Sequence, residues 1–394
     1  MSHGQRLVRT LFGLAATTVV IATVSLGGCG GNSVSFSDST QGGWAWSLPA
    51  NFPTPRVPGD NPMSEAKVEL GRFLFYDKRL SGNGTQSCAS CHHQDNAFTD
   101  GRVVAIGSTG EMHPRNAQGL ANGVYNATLT WANPSLLSLE SQAQVPIFGE
   151  RPIELGINDD NVNTVLDRIK TDARYPAMFA SAYPGINQPV TWGNITRAIG
   201  AFQRTLISGN SRYDQFLQGK ASLSASEQRG LTLFNGEKAE CFHCHSGFNF
   251  NDQVVHASTQ VLDTPFHNTG LYNIGGTGNF PEGNQGLYEI TANPADRGKF
   301  RAPSLRNVEV TGPYMHDGSM VTLEEILDFY AAGGRNITSG PYAGDGRTNP
   351  NKNPLIARIN LTAEEKADLV AFLKTLTDHD FLTNPKFANP FTTP

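Results

Sequence analysis

Cys88-Ala89-Ser90-Cys91-His92 and Cys241-Phe242-His243-Cys244-His245 decide how the chain is read. Two thiols separated by two residues can each form a thioether to a haem vinyl group, and the His that follows then lies under the ring with an imidazole nitrogen facing the iron. Both stretches carry the attachment signature of a c-type haem, with Cys88, Cys91, Cys241 and Cys244 as covalent anchors and His92 and His245 as proximal iron ligands. A structural zinc site and a redox disulfide compete for such pairs. A zinc ribbon needs no His at this position, however, and a thioredoxin-like site needs only one pair. The chain holds 10 His among 394 residues, so chance places one directly after both pairs roughly six times in ten thousand. Two covalently bound haems are the expectation.

The two motifs lie 153 residues apart, well beyond a short structural repeat of about 20–50 residues. The spacing predicts two haem domains, at 59–220 and 221–394, with the break near Gln218 to Ser224. The fold class expected is mainly α, two cytochrome c-like domains with long loops. Thr322-Leu323-Glu324-Glu325 is a capping box opening a helix with Leu323, Ile326, Leu327 and Tyr330 on one face, stopped at Gly333-Gly334. Ser224 to Glu227 and Thr362 to Glu365 repeat the start signal, and Ile195, Ile199, Phe202 and Leu206 form another apolar stripe. Gly-rich segments at 101–123 and 270–286 carry no helical pattern and are expected to border the haems or the domain interface.

Composition narrows the class further. The chain is 38% hydrophobic and 16% charged, with 22 Phe, enough to bury a core and too apolar for a disordered polymer. The net charge is −5, and −7 once Arg6 and Arg9 leave with a leader. A protein that tracks phosphates would be basic, which argues against nucleic acid as a partner.

Arg6 and Arg9 precede an uncharged apolar run from Leu11 to Leu26, the shape of a secretory signal over residues 1–28. Leu26-Gly27-Gly28-Cys29 resembles a bacterial lipobox, so the expectation is cleavage before Cys29, a lipid on its thiol and a tether over 29–58. Ordinary cleavage with release and an uncleaved helical anchor are the alternatives. Each of them exports the mature chain to the periplasm, and the lipid on Cys29 is the expected membrane attachment.

Further segments carry a family likeness. Arg115-Asn116, Leu139-Glu140-Ser141-Gln142, Glu154-Leu155-Gly156, Leu305-Arg306-Asn307 and Pro313-Tyr314-Met315-His316-Asp317-Gly318, with the two haem motifs, resemble the bacterial di-haem cytochrome c peroxidase superfamily over about residues 60 to 380. More narrowly the chain resembles the MauG-like branch, which modifies protein side chains. Cys241 to Phe248 and Phe266-His267-Asn268-Thr269-Gly270-Leu271-Tyr272 are similar to the MbnH-type enzymes within it. The resemblance implies a peroxide-reactive haem in the first domain and an electron-relay haem in the second.

The departures from the common family pattern are informative. Typical members cap the resting first iron with a His in the loop after the motif. By offset from His92 the corresponding residue here is Ser108, a poor ligand, which predicts an open face at that iron. His113 lies nearby but is displaced by five residues. Ordinary members ligate the second iron with a Met, and the matching position is Tyr330, for which the resemblance to MauG implies a tyrosinate. A core phenol bonded to a carbonyl is the plain alternative role, and Met315 and Met320 are rival ligands.

Peroxide cleavage needs a group that moves a proton from the near to the far oxygen. By resemblance that acid follows a Gln-x-x-x-Pro segment, here Gln142 to Pro146. Glu154 is then the catalytic acid–base group, Gln142 its polar partner, and Glu150 the alternative because of two extra intervening residues. Trp131 is the expected conduit between the haems, with Trp192 the weaker candidate. The family also implies one Ca²⁺, held by the Asn116 side chain and the backbone carbonyls of Thr311 and Pro313; turn roles are the alternative. The enzyme expected is an H₂O₂-dependent di-haem oxidoreductase acting on a side chain, a Trp taken towards kynurenine, of an exported copper-binding partner protein. A detoxifying peroxidase fed by a small electron donor and a non-enzymatic di-haem electron carrier are the alternatives.

Overall fold

A computed structural model describes residues 44–392. The signal segment and Cys29 lie outside the described residues. The chain is mostly helical: α1 (Glu65–Tyr76), α2 (Leu139–Phe148), α3 (Val162–Lys170), α4 (Tyr175–Ala182), α5 (Trp192–Arg204), α6 (Arg212–Leu217), α7 (Ala225–Phe234), α8 (Tyr288–Thr291), α9 (Leu323–Ala332), α10 (Ala363–Lys374) and α11 (His379–Thr383). One two-stranded antiparallel ribbon pairs β1 (Asn336–Ile337) with β2 (Gly344–Asp345). Among the described residues no helix is long and apolar enough to cross a membrane.

The helix starts follow their local chemistry. Ser224, Thr322 and Thr362 each accept from the backbone amide three residues on, and Glu227, Glu325 and Glu365 return the bond to the cap amide. α9 stops at Gly333, which adopts φ +75, a conformation open to glycine at little cost.

One packing unit occurs twice around the motifs. α1 crosses α5 at Gly71, where a Cβ would stand 1.9 Å from the Ala198 carbonyl oxygen and 2.9 Å from Cβ of Phe202. α7 crosses α10 at Gly230, where a Cβ would stand 2.0 Å from the Asp368 carbonyl oxygen and 2.8 Å from Cβ of Phe372. Four residues after each Gly comes a buried Phe. Phe75 lies 5.3 Å from Phe202 and 6.0 Å from Phe98; Phe234 lies 5.2 Å from Phe372 and 5.9 Å from Phe250. Only a glycine lets the backbones approach this closely, and the approach interlocks the aromatic trio that backs each motif.

The C-terminal end departs from a simple division of the chain. Phe381 and Phe387 are buried in the core built by Leu70, Phe75, Phe98 and Phe202, so the last helix returns to the packing around the first motif. Asp378 caps that return: its carboxylate accepts from the amides of Gly209 and Asn210, and its own amide donates to Asn307. Arg306, next in the Leu-Arg-Asn segment, is buried and bonds Asp214 of α6 through both terminal nitrogens at 2.9 Å, while its Nε holds the Phe248 carbonyl beside the second motif. Such a two-toothed, fully paired guanidinium orders the loop that carries the motif. Glu140 of the Leu-Glu-Ser-Gln segment is likewise structural, tying α2 to Arg204 of α5 at 2.6 Å.

Candidate haem centres

Each motif begins on a short 3₁₀ turn, Cys88–Ser90 and Cys241–His243, and Cys88, Cys91, Cys241 and Cys244 are all free of disulfides. Burial pushes the Cys88 and Cys91 thiols up to about 12 and about 11, so they stay protonated and ill suited to a redox dithiol. Nδ1 of His92 lies 2.7 Å from the Phe98 carbonyl oxygen, and Nδ1 of His245 lies 3.1 Å from that of Phe250. Both acceptors sit in left-handed backbone, φ +63 and φ +50, an uncommon conformation for a bulky residue. The bond puts the proton on Nδ1 and leaves Nε2 as a free lone pair, the state a metal-bound imidazole needs.

The second motif opens on a cavity of about 260 Å³ whose lining includes Cys241, Cys244, His245, Trp131, Arg301 and Tyr330. α9 delivers Tyr330 to this wall. Its hydroxyl has no hydrogen-bond partner among the described residues, unlike Tyr76, Tyr125 and Tyr183, whose hydroxyls donate to carbonyls. Burial raises the pKa of the Tyr330 phenol in this apolar wall. Met315 reaches the same cavity, whereas Met320 packs into the apolar cluster with Leu271 and Phe329.

Two orphaned groups fit an anionic cofactor here. Arg301 is 4% exposed and its Nη1 is buried without a partner among the described residues; burial holds the guanidinium down at about 10. Nε2 of His316 is also buried and unpaired among the described residues, its ring stacked 3.6 Å from Phe300. Buried charges and polar atoms are normally paired. A porphyrin carboxylate offers what they lack, so the residues present fit a haem.

At the first centre the decisive side chain is Glu154. Burial raises its carboxyl to about 7, although 29% of the side chain remains accessible; protein atoms crowd it enough that desolvation outweighs that opening. Its charge reaches the Cys88 and Cys91 thiols. Glu150 is exposed. Gln142 is half-buried on α2, and its side chain makes no hydrogen bond among the described residues. The polar group that approaches Glu154 is His113, Nε2 to Oε1 3.9 Å. Ser108 donates its amide to the Glu154 carbonyl at 2.7 Å.

Residues 65–222 match the family model described as di-haem cytochrome c peroxidase. The chain is 37% identical over 344 residues to cytochrome-c peroxidase IdrP1 of Denitromonas iodatirespirans, covering 82% of this chain and 85% of that one. The chain belongs to the di-haem cytochrome c peroxidase family. Methylamine utilization protein MauG of Methylorubrum extorquens is 33% identical, covering 88% of this chain and 89% of MauG. The solved structure of a MauG-like protein associated with microbial copper homeostasis shares 57% identity and superposes with a TM-score of 0.87, covering 88% of this chain and 99% of that one.

As a di-haem peroxidase family member the chain is an oxidoreductase built for two c-type haems. Trp131 lines the cavity in one apolar cluster with Tyr330, and its Nε1 donates to the Asn116 carbonyl at 2.9 Å. Trp192 packs instead 5.2 Å from Phe148 at the start of α5. Asn116, Thr311 and Pro313 line the same cavity, and Asn116 Nδ2 donates to the Arg102 carbonyl, while its side-chain oxygen has no partner among the described residues. Sequence reasoning missed Arg301, because nothing in Lys299-Phe300-Arg301-Ala302 marks that guanidinium as buried. It also left His267 without a role: its Nε2 stands 2.5 Å from Asp252 and its Nδ1 accepts from Asn353.

Proposed function

We propose that this peroxidase family member uses H₂O₂ to oxidise a side chain, a Trp taken towards kynurenine, on an exported copper-binding partner protein. When bound, the two haems accept oxidising equivalents from peroxide and pass them on as single electrons. Glu154, titrating near neutrality, takes the proton from the near peroxide oxygen and returns it to the far one. Trp131, bonded to Asn116, links the two centres. Tyr330 would hold the second haem iron through its phenol oxygen, which as an anion is a hard donor that favours electron-poor metal. Two peroxides balance conversion of Trp to N-formylkynurenine with loss of two waters, and hydrolysis then releases formate.

The observation that carries this reading is the unpartnered Tyr330 hydroxyl on the wall shared with Cys241, Cys244 and His245. The copper-associated MauG-like structure at 57% identity supports the choice of partner. Ca²⁺ at Asn116, Thr311 and Pro313 belongs to the same proposal, as do a split near residues 218–224 and periplasmic anchoring through Cys29. Met315 on the same wall favours the second reading, a peroxidase fed by a small donor. The test is peroxide treatment of the holoprotein with an exported copper-binding protein that carries a candidate Trp. Loss of Trp and gain of kynurenine in the partner, by peptide mass and absorbance, supports the reading. Peroxide turnover with a small donor and an unmodified partner refutes it.

A further inference from the structure

We propose that His113 is a positioning residue that holds the Glu154 carboxylate, through a water bridged to its Nε2–H, ready to accept a proton beside the first haem motif. The inference rests on the acid–base role given to Glu154 above.

The backbone around the pair leaves little freedom. Ala105 and His113 are joined by His113 N–H donating to the Ala105 carbonyl at 2.8 Å, and Ile106 bridges Met112. That turn is stapled to the Glu154 segment from both sides. Ser108 N–H donates to the Glu154 carbonyl at 2.7 Å, and the Ile153 amide donates to the Glu111 carboxylate at 3.1 Å. A Cβ on Gly107 would stand 1.7 Å from the Ile153 carbonyl oxygen, so the two segments touch backbone to backbone.

The tautomer follows from one further bond. Nδ1 of His113 accepts from the Arg115 amide at 3.0 Å. Burial and the Arg115 charge keep the imidazole neutral, down at about 4. A neutral ring that accepts at Nδ1 carries its hydrogen on Nε2. That hydrogen is on the atom 3.9 Å from Glu154 Oε1, beyond direct bonding and within the span of one bridging water. The other charged or titratable groups near the pair are Glu111, Arg115, Cys88 and Cys91, and none of them donates to the Glu154 carboxylate among the described residues. Burial alone acts on the Glu154 carboxylate in the structure, and a water bridged to His113 Nε2–H would be the one donor in its favour.

Cyanide binding to the ferric holoprotein tests this without turnover, because hydrogen cyanide must give up its proton to bind. The association rate is followed spectrally from pH 5 to 9 in wild type, Glu154→Gln, His113→Leu, His113→Gln and His113→Asn. The rate should rise through an inflection near neutrality in wild type and lose that inflection in Glu154→Gln. His113→Leu should move the inflection up by about one pH unit and slow binding at pH 7 about fivefold. His113→Gln, which keeps a donor of similar reach, should restore both, and the shorter His113→Asn should not. If His113→Leu fails to take up haem, the contrast between Gln and Asn decides. An inflection lost in Glu154→Gln but unmoved in every His113 variant overturns the pairing alone. An inflection retained in Glu154→Gln overturns the role of Glu154 and the pairing with it. A change in resting spin state on removing His113 would make it an iron ligand and also overturn the proposal.

Discussion

Nδ1 of His92 stands 2.7 Å from the carbonyl oxygen of Phe98, whose backbone is held left-handed at φ +63. The His245 to Phe250 pair repeats the arrangement at the second motif. In each case the Phe that fixes the imidazole is also packed by the helix crossing behind it, so packing and ligand orientation are one device. The surroundings of the two motifs differ, with Ser108, His113 and Glu154 in one neighbourhood and Tyr330 on the wall of the other, and the proposed difference in function between the centres rests on them.

The crossing glycines should be intolerant of side chains. Gly230→Val should lower stability by about 1–3 kcal/mol or more, since its Cβ meets the Asp368 carbonyl rather than a flexible side chain. Gly193→Ala, with nothing within 4 Å, should be neutral or slightly stabilising. Urea denaturation of the holoprotein with matched haem content checks both.

Glu154 also predicts a pH dependence of stability. Its folded pKa is raised from 4.5 to about 7, so the folded state binds the proton more tightly than the unfolded chain. That contribution is fully present below pH 4.5 and is lost as pH rises through 7. At pH 8.5 Glu154→Gln should therefore exceed wild type by on the order of 2 kcal/mol, and by little at pH 4.5. Equal differences at the two pH values would show that the carboxyl is not desolvated in the fold.

Removing the indole between the centres should separate two steps. Trp131→Phe keeps an aromatic ring in the apolar cluster but loses the bond to the Asn116 carbonyl. Peroxide should still perturb the spectrum of the first haem at near wild-type rate, while oxidation of the protein partner slows about a hundredfold or more. Stopped-flow absorbance with partner analysis by mass distinguishes this from a simple loss of folding.

Calcium affinity should distinguish side-chain from backbone ligation. Asn116→Ala should weaken Ca²⁺ binding to the holoprotein about tenfold or more, whereas Thr311→Ala, which keeps its carbonyl, should change it little. Calorimetric titration after chelation reads both, and equal sensitivity of the two variants counts against the site.

Much of this was legible in the chain because it depends on local chemistry. Cys-x-x-Cys-His announces itself, and the three capping boxes at Ser224, Thr322 and Thr362 open helices where side chain and amide lie only three residues apart. Tyr330 could be placed on the inner face of α9 from its spacing to Leu323 and Leu327. What stayed hidden depends on contacts distant in sequence. Arg301 reads as an ordinary basic residue until Gln118 and the Thr130 carbonyl, more than 170 positions away, enclose it. His113 and Glu154 are 41 positions apart, and only the backbone staple between 105–113 and 153–154 brings them together. The pairing of Gln142 with Glu154 rests on the family resemblance, and spacing along the chain says nothing of which side chain approaches the carboxylate.

The central claim is that the first centre is open to an oxidant while the second is closed by the Tyr330 oxygen, and low-temperature EPR of the resting ferric holoprotein beside Tyr330→Met measures it. The account predicts one high-spin and one low-spin signal in the wild type, with only the low-spin signal changed by the substitution. Two low-spin signals in the wild type, or a low-spin signal indifferent to Tyr330→Met, would contradict it.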